Sequence, residues 1–486
     1  MSHGAQKMNG VMQDIGRGMA PLVAARFTFR RLFLAGLTAL ACDVFGFAVL
    51  LLVKIEAIRH LALIASMGVA ILIFTNLILL PVLLSYAGVN AKAAQRSLEA
   101  STSGSGSGGL WSFLCRFTER KWAVGTIAVA VVLGALGIWI GHGLQVGDLD
   151  AGAPELRPQS RYNLDNAYLT KHYATSSDVL TVMVRTPSQK AMQRSILERV
   201  DELEWRLRQL PGVESTQSLA SLARQTALAM NEGHPRWYEL QPNQGALNTA
   251  GSRAPRTMVD SGFSLLQIQV YLSDHKADTL RRVSAAVEAF AKENDSPDGQ
   301  FLLAAGNAGF EAATNAVVEK ANREMLLWVY VAVVALCYVT FRSWRAVACA
   351  IIPLVLTSML AEALMVMLGI GMKVATLPVV ALGVGIGVDY ALYVVSIILA
   401  QLRHGVPLSQ AYHTSLLFTG RVVMLTGVTL AIGVATWALS PIKFQADMGV
   451  LLAFMFIVNM IGALVLLPAL AHFLLKPAPR TASAPA

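Results

Sequence analysis

The sequence predicts an α-helical polytopic membrane protein of about eight spanning helices, interrupted by one α+β extracytoplasmic domain. Three observations predict it. Apolar residues make up 55% of the 486 residues and charged residues only 14%, with a mean hydropathy of +0.53, where a soluble domain carries about 25% charged residues. The apolar residues gather into eight runs long enough to cross a bilayer, over 32–53, 61–87, 122–141, 324–341, 346–368, 375–400, 422–438 and 447–474. Between the third and fourth runs, residues 142–323 have no such run and alternate strand and helix signals instead.

The elements follow in order. Residues 1–31 read as a polar cytoplasmic segment, whose amphipathic part Val11–Phe29 is expected to lie along the membrane surface. It has no short apolar region ending in small residues, so no removable signal peptide is expected. A transmembrane pair, 32–90, leads to a cytoplasmic linker, 91–121, whose stretch Ala100–Gly109 (ASTSGSGSGG) is flexible by composition. After the single span 122–141 come the domain signals. Asp178–Arg185 reads as a strand, and Ser188–Leu210 as an amphipathic helix ended by Pro211–Gly212. Val213–Leu219 is a weaker strand, and Ser264–Ser273 alternates well. Lys276–Lys292 is helical, and Gln300–Ala304 is a last short strand. Gln225–Pro255, rich in Gly, Pro and Asn, reads as a long loop. Two strand–helix–strand units suggest a split βαβ, ferredoxin-like sandwich. From Asn307 a helix runs into a five-helix bundle, 324–475, and 476–486 is a cytoplasmic tail.

Charge gives the orientation. Residues 142–323 carry 19 Lys/Arg and 21 Asp/Glu, whereas the remainder carries 20 and 9. The basic excess sits in short loops, which marks them as cytoplasmic. Both termini therefore fall inside and 142–323 outside. The pI of about 9.4 reflects this topology and gives no case for a nucleic-acid partner. Cys42, Cys337 and Cys349 lie in or at spans and Cys115 in the linker, so no disulfide is expected in the outside domain. No zinc-spaced Cys/His set and no Walker A sequence occurs, so no metal, nucleotide or other cofactor is expected.

The candidate chemistry centres on Asp389. An ionised side chain near a bilayer centre costs at least about 2.5–3.5 kcal/mol, so this carboxylate needs a partner or a task. Gly383, Gly385 and Gly387 leave one side of the helix bare just before it, which admits a close neighbour. They lack the strand–turn–helix setting of a dinucleotide loop. Tyr390 can donate to the carboxylate or its counterpart, and Tyr393 lies one turn on along the same face. The group reads either as a proton relay or as a structural hydrogen bond between helices. Thr426 and Thr429 either serve the carboxylate or bond back to their own helix. Glu362 is either a second relay group or an interfacial residue, and Asp43, in the glycine-containing stretch Thr38–Gly46, is a further buried-carboxylate candidate. Asp447 reads as an N-terminal cap. His172, His234 and His275 have no clear partners and read as solvated surface. No nucleophile–base pair can be assembled from the spans, so an enzyme is not expected.

Shifting the chain by 387 residues overlays its two ends without a gap. Leu79–Leu80–Pro81 falls on Leu466–Leu467–Pro468, Gly46 on Gly433, Ala48 on Ala435, Ile55 on Ile442, and Gly16–Arg17–Gly18 on Arg403–His404–Gly405. Repeated membrane halves are a mark of secondary transporters. Position 2 is then the image of Asp389, and the arithmetic predicts that about 265 residues of a first half precede this chain.

With the order helix, large external domain, five helices, and G-V-G-I-G-V-D-Y at Gly383–Tyr390, the chain resembles the resistance–nodulation–division (RND) superfamily, most of all its MMPL-type predicted exporters. The stretches Arg403–Gly405, Thr419–Gly420–Arg421 and Thr426–Thr429 are similar as well. The resemblance implies an RND-type fold of twelve helices in two six-helix halves, of which this chain is the last eight. It implies a porter-like outside domain that handles cargo, and proton-driven export of a hydrophobic or amphiphilic, lipid-like substrate across the bacterial inner membrane. In relatives a matching Asp–Tyr pair comes from the first half, so the fragment is not expected to transport alone, and its partner is that half or a second copy. The resemblance leaves open a non-transporting sensor or scaffold like the sterol-sensing relatives, and an accessory to protein secretion like SecD/SecF.

Overall fold

The computed structural model describes residues 2–102, 109–150, 152–173 and 176–476. Residues 103–108 of the glycine–serine linker and 477–486 of the tail lie outside the described residues. Eight described helices are long and apolar enough to cross a membrane, the number the sequence predicts. The chain forms two compact units, one of membrane helices and one spanning Gln145–Glu319 with Pro441–Lys443.

The membrane unit opens with α1 (Ser2–Gly16) and α2 (Pro21–Ala48), followed by a 3-10 turn at Val49–Leu52. Then come α3 (Glu56–Phe74), a π-helical turn at Thr75–Leu79, α4 (Leu80–Ala87), α5 (Ala91–Thr102), α6 (Leu110–Cys115) and α7 (Arg120–Gly141). The expected surface segment Val11–Phe29 is not one helix. The chain turns at Gly18, with a φ of +91° that glycine adopts at little cost, and the first span starts at Pro21 rather than at 32. α1 is held in the bundle by its polar side chains. Asp14 is fully buried and meets Arg17 at 3.2 Å, Arg31 at 3.3 Å and the Thr28 hydroxyl at 3.1 Å. A buried carboxylate with three such partners is compensated. A surface helix would have left it in water.

In the sheet unit, α8 (Arg161–His172) precedes a four-stranded sheet. β1 (Val179–Arg185) is followed by α9 (Arg194–Arg208), β2 (Val213–Gln217), α10 (Leu219–Met230), α11 (Gln244–Ser252), β3 (Leu265–Leu272), α12 (Ala277–Asn294) and β4 (Gln300–Ala305). The sheet order is β2-β3-β1-β4, and all three pairings are antiparallel. Alternate residues of β3 (Leu266, Ile268, Val270, Leu272) face a core completed by Leu197, Val200 and Leu203 of α9 and Val283, Val287 and Phe290 of α12. The expected long loop Gln225–Pro255 is largely helical. Ser218 and Ser221 close a capping box on α10, and Leu247 and Ala250 of α11 join the core, so buried contacts override a composition that favours turns.

The second membrane set is α13 (Gly306–Phe341), α14 (Trp344–Leu368), α15 (Leu377–Arg403), α16 (Leu408–Ser415), a π turn at Leu416–Gly420, α17 (Arg421–Ala435), a 3-10 turn at Thr436–Leu439, α18 (Lys443–Ile461), a π turn at Gly462–Leu466 and α19 (Leu467–Leu474). The 387-residue shift carries α3 onto α18, the π turn Thr75–Leu79 onto Gly462–Leu466, α4 onto α19, and the 3-10 turn at Val49–Leu52 onto Thr436–Leu439, residue for residue. It also places the two positive-φ glycines, Gly18 and Gly405, on each other. The π turns precede Pro81 and Pro468. A proline has no N–H and its ring clashes with the carbonyl four residues back, and widening the turn relieves both.

Candidate buried polar site

α15 is the central helix of the membrane unit. In its most apolar stretch 78% of the residues are buried, and among the described residues no other spanning helix exceeds 50%. Its glycines explain how neighbours come so close. A Cβ at Gly383 would stand 2.1 Å from Met455, and one at Gly387 2.2 Å from the Asn459 amide, both on α18. A Cβ at Gly385 would stand 3.3 Å from the Asp43 carboxylate of α2. The Asn459 amide also donates to the Gly383 carbonyl at 2.8 Å. Two glycines thus seat α18, and the third admits a second carboxylate beside Asp389.

Three helices converge there. His3 Nε2 lies 3.2 Å from Asp389 Oδ2 and 3.9 Å from Asp43 Oδ2. His3 Nδ1 is 2.8 Å from the Tyr393 hydroxyl, and Gly36 of α2 leaves room for that hydroxyl. Asp389 is 2% exposed and Tyr390 and Tyr393 are fully buried. Among the described residues, Asp43 Oδ1, Asp389 Oδ1 and the Tyr390 hydroxyl are buried without a hydrogen-bond partner. Two carboxylates facing one another in a low dielectric repel and need positive charge between them. A proton on the imidazole or on a carboxyl supplies it. A metal ion is the other chemical solution, since each of the three residues offers a ligand atom within 4.8 Å of the others.

Sequence reasoning named Asp389, Asp43, Tyr393 and Tyr390 and missed His3. The repeat held the signal. His3 is the image of Tyr390 under the 387-residue shift, so α1 matches the second half of α15 and belongs in the bundle. Asp43 is the image of Leu430, so the carboxylate breaks the repeat's symmetry.

Other candidates lie elsewhere. The Tyr390 hydroxyl does not reach the carboxylates, and Tyr393 takes the bonded place through His3. Thr426 donates to Val422 O at 2.8 Å and Thr429 to Leu425 O at 2.8 Å, so both hydroxyls serve their own helix, and Thr429 points outward. Glu362 sits on α14 beside Gly141 of α7, apart from the triad. Asp447 is not a cap. It lies inside α18 and pairs with the buried Lys373 at 3.6 Å. His275 is not solvated surface either, since it is 2% exposed and its Nδ1 is 3.1 Å from Asp178. Burial works against its charge, but the Asp178 hydrogen bond and the charges of Glu311, Asp178 and Asp148 outweigh it and hold the imidazole up at about 9. His234 caps the turn Pro235–Trp237, and His172 packs on Tyr168.

Comparison with known proteins decides the family. The MMPL family profile matches residues 163–482. The chain belongs to the MMPL family. A membrane protein of Methanocaldococcus jannaschii is 22% identical over 330 residues, which cover 65% of this chain and 82% of that protein. A Streptomyces coelicolor membrane protein is 37% identical over 89 residues, 18% of this chain and 13% of its own length. Among solved structures, the fold is shared with the hedgehog release protein Disp of the water bear Hypsibius dujardini (TM-score 0.59, 15% identity, 97% of this chain) and with SecDF in its super-membrane-facing form (TM-score 0.51, 15% identity, 97% of this chain). The MMPL chain spans 62% and 53% of those two structures.

Proposed function

We propose that this chain works as part of a proton-motive-force-driven RND/MMPL-type exporter in a bacterial inner membrane, moving a hydrophobic or amphiphilic, lipid-like substrate outward. The observation that carries the reading is the convergence of His3, Asp43 and Asp389 from α1, α2 and α15. Gaining or losing one proton at this cluster changes the charge buried between three helices, and that change biases how they pack. The sequence's distribution of Lys/Arg supports cytoplasmic termini and an outside position for the sheet unit.

We read that unit as a ferredoxin-like porter domain, a reading supported by its β2-β3-β1-β4 order and by a helix after each of β1 and β3. A cavity of about 290 Å³ there is lined by the apolar Leu180, Leu280, Leu303 and Ala312 and by the exposed Arg281 and Glu288. An apolar lining with exposed charges suits an amphiphile. The partners in this reading are the bilayer, protons, the substrate, and a first half or second copy that completes the pathway.

The test is proton flux in proteoliposomes. Flux driven by a pH gradient is expected in preparations holding the complete transporter and absent with Asp389→Asn, which inserts normally. Equal flux in the variant would remove the relay role from Asp389, and no flux in either preparation would leave a sensor or scaffold as the better reading.

A further inference from the structure

The triad has a geometry that proton transfer does not require. His3 is oriented through Nδ1 by the Tyr393 hydroxyl at 2.8 Å, which leaves Nε2 aimed at the two carboxylates. Tyr393 is fully buried, so the ring has one fixed anchor. Two ligands of a tetrahedral zinc ion, with bonds of about 2.0–2.2 Å, stand about 3.4 Å apart. The separations from Nε2, 3.2 Å to Asp389 and 3.9 Å to Asp43, bracket that edge. A histidine whose second nitrogen is held by an outer partner is the usual arrangement around a bound metal. The unpartnered Asp389 Oδ1 belongs to a side chain 2% exposed, and with Asp43 Oδ1 it gives each carboxylate a free oxygen to rotate toward an ion.

We propose that His3, Asp43 and Asp389 form a binding site for a zinc-class divalent cation, which joins α1, α2 and α15. One imidazole and two carboxylates suit Zn²⁺ or Co²⁺. Mg²⁺ and Ca²⁺ prefer shells made of oxygen alone, whereas the imidazole nitrogen favours a zinc-class ion. A dication with two carboxylates is neutral overall, so the filled site carries no net charge into the bundle. The proposal shares its residues with the relay reading, and binding is measured independently of flux.

The experiment titrates the purified full chain in detergent with Zn²⁺ against a chromophoric chelator, and with Co²⁺ followed by visible absorption. One equivalent bound, with the intense bands of four-coordinate Co²⁺ and a rise in the unfolding temperature, is expected. His3→Ala and Asp389→Asn abolish the bands. Tyr393→Phe, which keeps the packing of the ring, weakens binding about 10- to 100-fold as an outer-partner loss does. Absence of stoichiometric binding, or binding unchanged in all three variants, overturns the proposal. Binding as expected, with no proton flux in preparations holding the complete transporter, supports the metal site and sinks the relay reading instead.

Discussion

At the scale of residues, a few buried polar atoms separate chemistry from packing. Asp389 was legible because a carboxylate in an apolar run is costly. His3 was not, because a histidine in a short polar segment carries no such signal, and only the fold places it 3.2 Å from that carboxylate. Thr426 shows the reverse. Its position near the motif suggests a role, but its hydroxyl is committed to Val422 O. Thr426→Val is therefore expected to leave proton flux unchanged, while His3→Ala reduces it. The glycines give a stability prediction. Gly387→Ala sets a methyl against Asn459 and Leu354 and is expected to destabilise the bundle by about 1–3 kcal/mol through overpacking, read as a lower midpoint in denaturant.

At the scale of elements, the repeat explains α1. Its polar residues bond to carbonyls that the π turns release. Lys7 donates to Asn76 O at 2.7 Å, Gln6 to Thr419 O at 3.3 Å and Asn9 to Phe418 O at 2.9 Å. A helix with this many polar groups looks amphipathic in sequence, which is why a surface position was expected for part of it. These polar groups face protein carbonyls, and Asp14 faces Arg17, Thr28 and Arg31, rather than open water. Asp14→Ala would strand the Arg31 guanidinium against the Phe418 ring, 3.8 Å away. Arg17 and Arg31 both keep access to water, so the change is expected to cost about 1.5–3 kcal/mol, as loss of a charged hydrogen bond does, and to loosen α1, measured as faster proteolysis near Gly18. The repeat itself was readable from prolines, glycines and loops, because those residues fix backbone geometry directly. The helices in Gln225–Pro255 were not readable, since core contacts rather than local propensity hold them.

At the scale of the whole molecule, the eight spans and the strand pattern were legible from hydropathy and alternation, whereas the pairing of His275 with Asp178 required the fold. That pair gives the sheet unit a pH dependence. The folded imidazole titrates at about 9, above its unfolded value of about 6.5. Its stabilisation is thus complete below about pH 6.5 and is lost as the pH rises through 9. Calorimetry of the full chain is expected to show the sheet unit melting lower at pH 9.5 than at pH 6.5, with the difference shrinking in Asp178→Asn. In the membrane unit, the buried triad is proposed to take up and release a proton. The most direct test is pH-difference infrared spectroscopy of the purified protein. A protonated-carboxyl band that appears as the pH falls, and is missing in Asp389→Asn, is the predicted result. An identical difference spectrum in that variant would contradict the account.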